Sequence, residues 1–369
     1  MGESIRWLVM AQAEGVGRRR LATLMAAVPD PVAAWRLTAS ELAALEGWSR
    51  PVASNLVAAR QSPVAWARAE ADWRAAERAG LQLIALASPH YPRRLRLIPD
   101  PPPLLYQAGP GVPDDRPAIA IVGTRKPTPY GLSVAERFGA DLAAAGAVVI
   151  SGLALGIDSA AHRGALRVGG LSVAVLGTGA DVPYPRASTA LYRRLVETGA
   201  VLSELPPGTG ARAEAFPERN RIISGLADAI VVVEAGERSG TLITVQSALE
   251  QGREVFAVPG PVWSPMSVGP HRLLGEGAAL GLSATQILAE LGLEATMNRH
   301  APPNLGPEEA QLLAWMGDGP WTAGALVQAT GLSPAEVQAR LTLLAVRGLV
   351  QILPGGQFLR VGETGAIGV

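Results

Sequence analysis

The amino-acid sequence predicts an α/β protein in which a parallel, doubly wound sheet lies between an N-terminal helical domain and a C-terminal winged helix. Three patterns carry this prediction. Glycine turns precede apolar helices near the N-terminus, continuous apolar runs alternate with helical patterns in the centre, and three helical patterns followed by a hairpin pattern end the chain. Strands that alternate with helices form βαβ units, so their sheet is expected to be parallel.

The N-terminal segment contains two similar turn-and-helix units. Gly15–Gly17 precedes Arg18–Arg20 and an apolar helix over Leu21–Ala27, and Leu45–Ser49 precedes a second helix over Val52–Ala59. Such units resemble helix-hairpin-helix modules, which offer backbone N–H groups to DNA phosphates. A small helical bundle whose glycines only turn the chain is the alternative, and the sequence leaves both open.

Six apolar runs in the centre predict the strands of the sheet. They are Ala118–Val122, Ala147–Ile150, Ser172–Leu176, Val201–Ser203, Ala229–Val233 and Val255–Val258. The runs are continuous, as expected for strands that are buried on both faces. Between them, Val134, Phe138 and Leu142 recur at helical spacing. Ligands of such sheets bind beyond the carboxyl ends of the strands.

The C-terminal segment has the pattern of a winged helix-turn-helix. The predicted elements are helices over Glu308–Met316, Thr322–Thr330 and Pro334–Arg347 and strands over Leu349–Leu353 and Gln357–Val361. Thr322 and Ser333 suit the N-cap positions of the second and third helices, and proline suits the first helical position.

Proline clusters divide the chain. The first comprises Pro99, Pro101, Pro102, Pro103, Pro110 and Pro113, and the second comprises Pro302, Pro303 and Pro307. We predict an N-terminal helical domain over residues 1–85, a central α/β domain over 86–292, a linker over 293–305 and a C-terminal domain over 306–369.

The composition of the 369-residue chain excludes several kinds of site. The absence of cysteine excludes disulfides, thiol catalysis and cysteine-ligated zinc, and the 4 histidines lack the spacing of a metal site. No run of about 18 apolar residues predicts a membrane helix. The first ten residues also lack the pattern of a signal peptide. We expect a soluble, cytoplasmic protein with no metal, no cofactor and no membrane partner.

Charge is balanced in the whole chain, with 32 basic and 32 acidic residues. Residues 1–115 have 13 basic and 11 acidic residues, residues 116–291 have 15 of each, and residues 301–369 have 3 and 5. Any polyanion must therefore meet a local cluster of cations, and the C-terminal segment is the least suited to meet it.

Three strand ends carry the residue types of a polyanion cleft. The first strand runs into Gly123–Pro127, the second into Ser151–Asp158 and the fifth into Glu234–Thr241. Arg125 offers a planar fork for phosphate. The small residues of the turn at Ser151–Asp158 are expected to leave N–H groups free at a helix N-terminus, which is an anion site, and the turn at Glu234–Thr241 places hydroxyls beside a second helix N-terminus. The alternative for Arg125 is a structural ion pair with Glu234 or Asp158.

The stretch Phe216–Arg221 combines an aromatic ring with Arg219, Asn220 and Arg221. A ring that stacks on a base and cations that bind phosphates are typical of a single-strand platform. The alternative is a Phe216 side chain that anchors the core while the arginines are solvated, and spacing alone leaves the two open.

Ordered blocks between Tyr91 and Leu280 resemble one protein family. They are Tyr91-Pro92, Pro102–Tyr106 with Gly109, Ile121–Arg125, Ser151-Gly152 with Gly156–Asp158 and Ala161-His162, Leu176–Gly179 with Tyr184-Pro185, Phe216-Pro217 with Arg219–Ile223, Glu234-Ala235 with Ser239–Thr241, and Val258–Gly260. In this combination the chain resembles the DNA-processing protein A family, also called DprA/Smf, over about half of its length.

This resemblance implies an N-terminal sterile-alpha-motif-like helical domain, an extended Rossmann domain and a C-terminal winged helix. It implies a non-enzymatic mediator that binds and protects single-stranded DNA and loads the RecA recombinase, in natural transformation or DNA repair, and a homodimer formed through the Rossmann domain. The positions that inherit the DNA-pocket role are Gly123, Thr124, Arg125, Ser151, Gly152, Phe216, Arg219, Asn220, Arg221, Ser239, Gly240 and Thr241. The family usually has asparagine where this sequence has His271, which leaves the role of that loop open.

A phosphoribohydrolase-like enzyme that processes nucleotides is the main alternative. Proteins similar to the "lysine decarboxylase" family share this Rossmann variant and carry the signature PGGxGTxxE. The corresponding stretch here is Gly236–Thr244, where Thr244 replaces the carboxylate that acid–base work on a glycosidic bond requires. Asp158 could substitute, although it also suits a helix N-cap.

Two further classes fit less well. A dinucleotide-dependent oxidoreductase would need GxGxxG at the first turn, where this chain has Gly-Thr-Arg-Lys-Pro, and an acidic residue about 20 residues further on. A transcription factor would read DNA with the helix Pro334–Arg347, which has only Arg340 and Arg347 in a net acidic segment. A protein-contact or regulatory role suits that helix better.

Overall fold

The computed structural model describes residues 5–293, 307–316, 319–346, 349–353 and 356–360. The chain forms two compact units, Met1–Asn298 and Arg299–Val369. The predicted linker over 293–305 lies, apart from Leu293, outside the described residues. None of the described helices combines the length and the apolar character that crossing a bilayer requires.

The N-terminal part of the first unit is helical, as predicted. Its helices are α1 (Ile5–Ala11), α2 (Arg18–Ala27), α3 (Pro31–Arg36), α4 (Ala39–Ala43), α5 (Arg50–Ala59) and α6 (Pro63–Arg78). Local sequence defines their starts: Asp30 accepts hydrogen bonds from two amides of α3, and Thr38 and Glu41 form a capping box at α4. The predicted helices that follow the glycine turns are confirmed as α2 and α5.

A nine-stranded sheet forms the centre of this unit. Its strands are β1 (Gln82–Ala85), β2 (Leu104–Ala108), β3 (Ala118–Val122), β4 (Val148–Ser151), β5 (Ser172–Val175), β6 (Ala200–Ser203), β7 (Ala229–Val232), β8 (Glu254–Ala257) and β9 (Ala279–Leu280). They lie in the order β1-β2-β6-β5-β4-β3-β7-β8-β9. The six predicted strands are confirmed as β3 to β8, which pair in parallel.

The sheet is larger than predicted because β1, β2 and β9 extend it, and β1 and β2 pair antiparallel at one edge. β1 ends at residue 85, the predicted end of the N-terminal domain, and one apolar core takes residues from both sides of that position. The division of the first unit into two domains therefore stays a prediction.

Helices cover both faces of the sheet. They are α7 (Arg93–Arg96), α8 (Pro129–Ala144), α9 (Ile157–Arg167), α10 (Thr189–Thr198), α11 (Ala215–Leu226), α12 (Thr241–Glu250), α13 (Val268–Gly275) and α14 (Ala284–Glu290). Side chains of β3 alternate between two cores: Ala118 and Ala120 belong to one, and Ile119 and Ile121 belong to the other. Burial on both faces explains why the strand runs are continuously apolar.

The second unit has the predicted winged helix-turn-helix pattern. Its elements are α15 (Pro307–Met316), β10 (Pro320–Thr322), α16 (Ala323–Thr330), α17 (Pro334–Val346), β11 (Val350–Leu353) and β12 (Gln357–Arg360). Thr322 caps α16, and Ser333 exchanges hydrogen bonds with Glu336 at the start of α17, so both predicted caps are confirmed. The short strand β10, which pairs with β12, was not predicted. Arg347, Pro354, Gly355 and Val361 lie outside the described residues.

Candidate nucleic-acid interface

A cleft of about 660 Å³ opens where the direction of the sheet reverses. From β3 the chain builds outward through β4, β5 and β6, and it then returns to place β7 on the other side of β3. The loops after β3 and β7 diverge at this point, which is where ligands of doubly wound sheets bind. The lining residues are Val122, Gly123, Thr124, Arg125, Lys126, Ala154, Asp158, Ala213, Phe216, Pro217, Arg219, Asn220, Ile223, Ser239, Gly240, Thr241, Ile243, Thr244 and Met266.

The loop after β3 is held in place by Glu234. The amide of Thr124 donates to the carbonyl oxygen of Glu234 at 2.7 Å, and the Glu234 carboxylate accepts from the amide and the hydroxyl of Thr128 at 2.8 Å and 2.6 Å. The Thr124 hydroxyl in turn accepts from the amide of Lys126 at 3.2 Å. Glu234 therefore fixes the conformation of this loop through hydrogen bonds.

Arg125 is exposed at the mouth of the cleft. Its guanidinium carbon lies 5.4 Å from the centroid of the Phe216 ring, a cation–π distance. Among the described residues Arg125 has no ion pair, and the side chains of Glu234 and Asp158 are bonded to backbone groups instead. The structure thus favours the reading in which Arg125 is available to a ligand over the reading in which it forms a structural ion pair.

Phe216 and Tyr184 form an aromatic step beside the cleft. Their ring centroids lie 5.4 Å apart with an interplanar angle of 38°. Phe216 is half-buried and rests on Gly177, where an added Cβ would lie 2.8 Å from the ring. Tyr184 is 44% exposed. Phe216 therefore belongs neither to a closed core nor to open solvent, and Arg125 covers part of it. The rim of the cleft is defined as Arg125, Lys126, Tyr184 and Phe216.

Arg219 lies beneath the rim, on α11, and is only 5% exposed. Its Nη1 donates to the carbonyl oxygens of Gly152, at 2.8 Å, and of Val175. Gly152 leaves room for this guanidinium, since an added Cβ would lie 2.5 Å from that nitrogen. Burial lowers the pKa of Arg219 to about 10, so the side chain remains a cation at neutral pH. It joins the ends of β4 and β5 and places positive charge under the cleft.

Asp158 is the buried anion of the same layer. Its Oδ2 accepts from the amides of Gly152 at 3.1 Å and Ala154 at 3.4 Å, and burial raises its pKa against the attraction of Arg219. The prediction that this turn leaves its amides free for an external anion is therefore wrong for Gly152 and Ala154, because the chain supplies its own carboxylate. The floor of the cleft is defined as Gly152, Asp158 and Arg219.

Ser151 does not reach the cleft. It is fully buried, and its hydroxyl donates to the carbonyl oxygen of Ile121 at 2.6 Å, which ties β4 to β3. The prediction that Ser151 contacts DNA is not supported by this geometry. The hydroxyl would have to break a buried hydrogen bond first.

Arg221 is also placed elsewhere. Its guanidinium makes a bidentate pair with Glu204, at 2.9 Å and 2.7 Å, and its Nε lies 3.3 Å from an oxygen of Asp100. Arg219 and Arg221 are two residues apart on one helix and therefore face different directions. The prediction that both line the DNA pocket fails for Arg221, whereas Asn220 lies in the lining.

The β7 side of the cleft presents hydroxyls at the start of α12. Ser239, Gly240 and Thr241 line it as predicted, and the Ser239 hydroxyl donates to that of Thr241 at 2.9 Å. Thr244, 3% exposed, occupies the place of the catalytic carboxylate in the alternative enzyme. Asp158 is the only carboxylate among the described lining residues, and no described group of His, Asp and Glu could hold a metal ion.

Four cations that the residue patterns did not select belong to the loops at this edge of the sheet. Lys126 lines the cleft, and Arg186, Arg212 and Arg238 each adjoin a lining residue in the chain. None of the four makes an ion pair within the described part of the chain. Their position next to the motif residues was the available signal. Together with Arg125 they place five exposed cations on segments that follow the strands.

His271, the departure from the family pattern, has a structural partner. Its Nε2 lies 3.0 Å from the carbonyl oxygen of Gly260, so it joins α13 to the loop that follows β8. This contact lies outside the cleft lining.

The chain is similar to known proteins over most of its length. Residues 82–292 match the model of a family described as DNA recombination-mediator protein A, and residues 298–356 match a DprA winged helix domain. Protein Smf of Escherichia coli is 39% identical over 284 residues, which cover 74% of this chain and 76% of that protein. DNA processing protein DprA of Bacillus subtilis is 41% identical over 213 residues, or 58% of this chain and 72% of that protein.

Two solved structures are similar over much of the chain. DNA processing protein A from Streptococcus pneumoniae has a TM-score of 0.67 at 33% identity and covers 79% of this chain and 99% of its own. DNA processing protein A from Helicobacter pylori, whose structure is described as revealing a single-stranded DNA binding mode, has a TM-score of 0.53 at 27% identity and covers 59% of this chain and 99% of its own.

Proposed function

The chain belongs to the DNA recombination-mediator protein A family, also called DprA/Smf, and from that premise we propose that it binds single-stranded DNA in the cleft at the β3–β7 switch point. The observation that carries the proposal is the stack of Arg125 over Phe216 at an exposed edge, 5.4 Å apart. This one contact combines a cation that can bind a phosphate, Arg125, with a ring that can stack on a base, Phe216.

The rim supplies both kinds of interaction that a single strand needs. Arg125 and Lys126 meet phosphates, with the hydroxyls of Ser239 and Thr241 on the opposite side of the cleft. Phe216 and Tyr184 offer ring faces to bases. Stacking is tolerant of sequence because every base has a flat face, and phosphate contacts carry no sequence information. We therefore expect binding without sequence preference.

Duplex DNA is a poor fit for the same surface. Its bases are stacked inside the helix and cannot present a face to Phe216 unless they are unstacked, which costs a few kcal/mol. Single strands offer their bases freely. The direct test measures binding of a single strand and its duplex to the intact protein at one stated salt concentration. Equal affinity for the two would contradict the proposal.

We further propose that the protein is a mediator and not an enzyme. Thr244 stands where the alternative enzyme needs a carboxylate, and Asp158 is held by two amides at the floor. The expected result is no release of free base from nucleoside monophosphates and no cleavage of DNA. Steady base release that Asp158→Ala abolishes would support the phosphoribohydrolase-like alternative instead.

Family membership is the basis for several further proposals. The protein is proposed to protect incoming strands and to load RecA, in natural transformation or DNA repair. It is also proposed to self-associate through the Rossmann domain and to be cytoplasmic. A mediator that loads RecA must hold the strand and then hand it over, and a cleft that tolerates every sequence permits this. The test is whether the protein shortens the lag before RecA begins DNA-dependent ATP hydrolysis, with light scattering of the free protein to establish its oligomeric state.

A further inference from the structure

The loop between β8 and α13 carries the two most exposed large apolar side chains of the described chain. Trp263 is 84% exposed and its neighbour Val262 is 79% exposed. Neither belongs to the cleft lining or to the predicted binding residues. A tryptophan displayed to water in this way loses the hydrophobic stabilisation that burial would provide.

Backbone hydrogen bonds and prolines define the turn that carries Trp263. The amide of Ser264 donates to the carbonyl oxygen of Pro261 at 2.9 Å, so Val262 and Trp263 are the two corner residues of a turn. The amide of Ser267, which is buried, donates to the carbonyl oxygen of Ser264 at 3.0 Å. Prolines at 259, 261 and 265 each fix one backbone angle. The ring is thus presented on a preorganised support.

This support is joined to the cleft. The amide of Ala235 donates to the carbonyl oxygen of Met266 at 2.9 Å, and the amide of Gly269 donates to that of Ala235 at 2.8 Å. Met266 itself lines the cleft. Because β8 is the parallel neighbour of β7, its loop leaves the same edge of the sheet as the other binding loops. Trp263 therefore lies past the β7 wall.

The aromatic step of Tyr184 and Phe216 lies at the other end of the cleft, where Tyr184 follows β5. β5 and β8 are separated by three strands, β4, β3 and β7, or about 19 Å at the usual strand spacing. Rings on both sides of a cationic cleft suit a ligand with repeated flat groups. A single strand crossing the cleft from β5 to β8 arrives at the turn that displays Trp263.

We propose that Trp263 is a second stacking platform, on which a base of the single strand rests after the strand has crossed the cleft. This inference builds on the proposed function. The turn carries no cation, since proline, valine, serine and proline surround Trp263. It therefore contributes a base contact without a phosphate contact. Its effect should depend on strand length and on the presence of bases, but not on salt.

The experiment compares wild type with Trp263→Ala, Trp263→Phe and Val262→Ala on oligothymidylates from about 4 to about 16 nucleotides. Trp263→Ala should bind the longest strands about tenfold more weakly, as expected for loss of one stacked base. It should bind the shortest strands, which fill only the cleft, like wild type. Trp263→Phe should regain most of the loss because it keeps a ring. Val262→Ala, which changes the adjacent apolar side chain, should match wild type.

An abasic strand of the longest length provides the second measurement. Wild type and Trp263→Ala should bind it equally, and their log–log salt slopes should agree on every strand. Equal loss at all lengths, equal loss on abasic strands, or no loss on long strands would each overturn the inference. A change of oligomeric state in Trp263→Ala, seen by light scattering, would overturn it as well and would assign the residue to a protein contact.

The proposed function fails separately from this inference. If single strands bind wild type and Arg125→Ala equally, or do not bind, the cleft is not the DNA site. If Arg125→Ala weakens binding while Trp263→Ala binds long strands like wild type, only the second platform is wrong.

Discussion

Arg219 and Arg125 belong to the two layers of one cleft, and their surroundings differ in almost every respect. Arg219, in the floor, is buried and donates to two carbonyl oxygens at the ends of β4 and β5. Arg125, in the rim, is exposed, lies 5.4 Å from the centroid of the Phe216 ring and has no ion pair among the described residues. The floor uses its charges to hold strand ends together, and the rim leaves its charges free. Substitutions in the floor should therefore change stability, and those in the rim should change binding.

The largest effect is expected from Arg219→Ala. The substitution leaves Asp158 buried without its nearby cation and leaves the carbonyls of Gly152 and Val175 without their donor. We expect a loss of about 3 kcal/mol or more in the free energy of unfolding. Urea unfolding measures it, with Arg212→Ala, at an exposed position, as the control. A loss below about 1 kcal/mol would mean that the floor is not a stability element.

A pH-dependent effect is expected from His162, which lies on α9. It is fully buried, its Nδ1 lies 2.7 Å from the Ser172 hydroxyl, and burial lowers its pKa to about 3. Between that pKa and the ordinary value of 6.5 the unfolded chain binds a proton that the folded chain does not. Stability therefore rises with pH in this window and is lost on acidification, by about 1.4 kcal/mol per pH unit.

The measurement is urea unfolding at pH 6.5 and pH 5, above the range in which most carboxylates titrate. Wild type should lose about 2 kcal/mol more than His162→Gln over this interval. His90→Gln, at an exposed position, is the control. Identical pH profiles for wild type and His162→Gln would show that this imidazole does not resist protonation in the folded state.

The sequence predicts most of the sheet but not the direction of every side chain. Strands β3 to β8 were predicted because burial on both faces leaves an unbroken apolar run. β1 and β2 are absent from the predicted strands because β2 is enclosed by Pro103 and Pro110 of the first proline cluster, which indicates a boundary, and β1 lies before that cluster. Arg221 was assigned to the pocket because adjacency in sequence does not reveal which side of α11 a residue faces. The direction of Arg221 is known only when the structure shows where α11 starts and that Glu204 and Asp100 lie beside the Arg221 guanidinium.

The site could be predicted in outline for a physical reason. Parallel strands bring their carboxyl ends to one edge, so the loops at Gly123 and Ser239 had to be near each other. The interactions inside that edge could not be predicted. Asp158 occupies amides that small residues seemed to leave free, and the ring contact between Tyr184 and Phe216 joins residues from different loops. Trp263 has no motif and is recognised only by its exposure.

The rim should respond to loss of an aromatic ring without loss of stability. Phe216→Leu keeps an apolar side chain on Gly177 but removes the stacking face. We expect single-strand affinity to fall by most of the about 1–3 kcal/mol that one stacked base contributes. The salt slope should not change, since no phosphate contact is lost. Fluorescence anisotropy at several salt concentrations tests both, and an affinity within twofold of wild type would contradict the stacking role.

Loss of one rim charge should have a smaller and different signature. Arg125→Ala should weaken all single-stranded sequences nearly equally, because a phosphate contact carries no sequence information. The log–log salt slope should flatten by about 0.7. Melting temperature should stay at the wild-type value, since Arg125 has no ion pair among the described residues. A destabilised variant with an unchanged slope would return Arg125 to a structural role.

The smallest effect is expected from removing the second unit, with a chain that ends at Asn298. Residues 301–369 have 3 basic and 5 acidic residues, so they add repulsion more than attraction for a polyanion. The two described arginines are already engaged: Arg340 lies 2.7 Å from Glu308, and Arg360 donates to the carbonyl oxygen of Leu313 at 3.1 Å. The truncated protein should therefore bind single strands with little loss and the wild-type salt slope. Equilibrium binding of both proteins at equal salt decides it. A tenfold weaker truncated protein with a flatter slope would show that the winged helix holds phosphates, and the contrast between floor and rim would then describe only part of the DNA site.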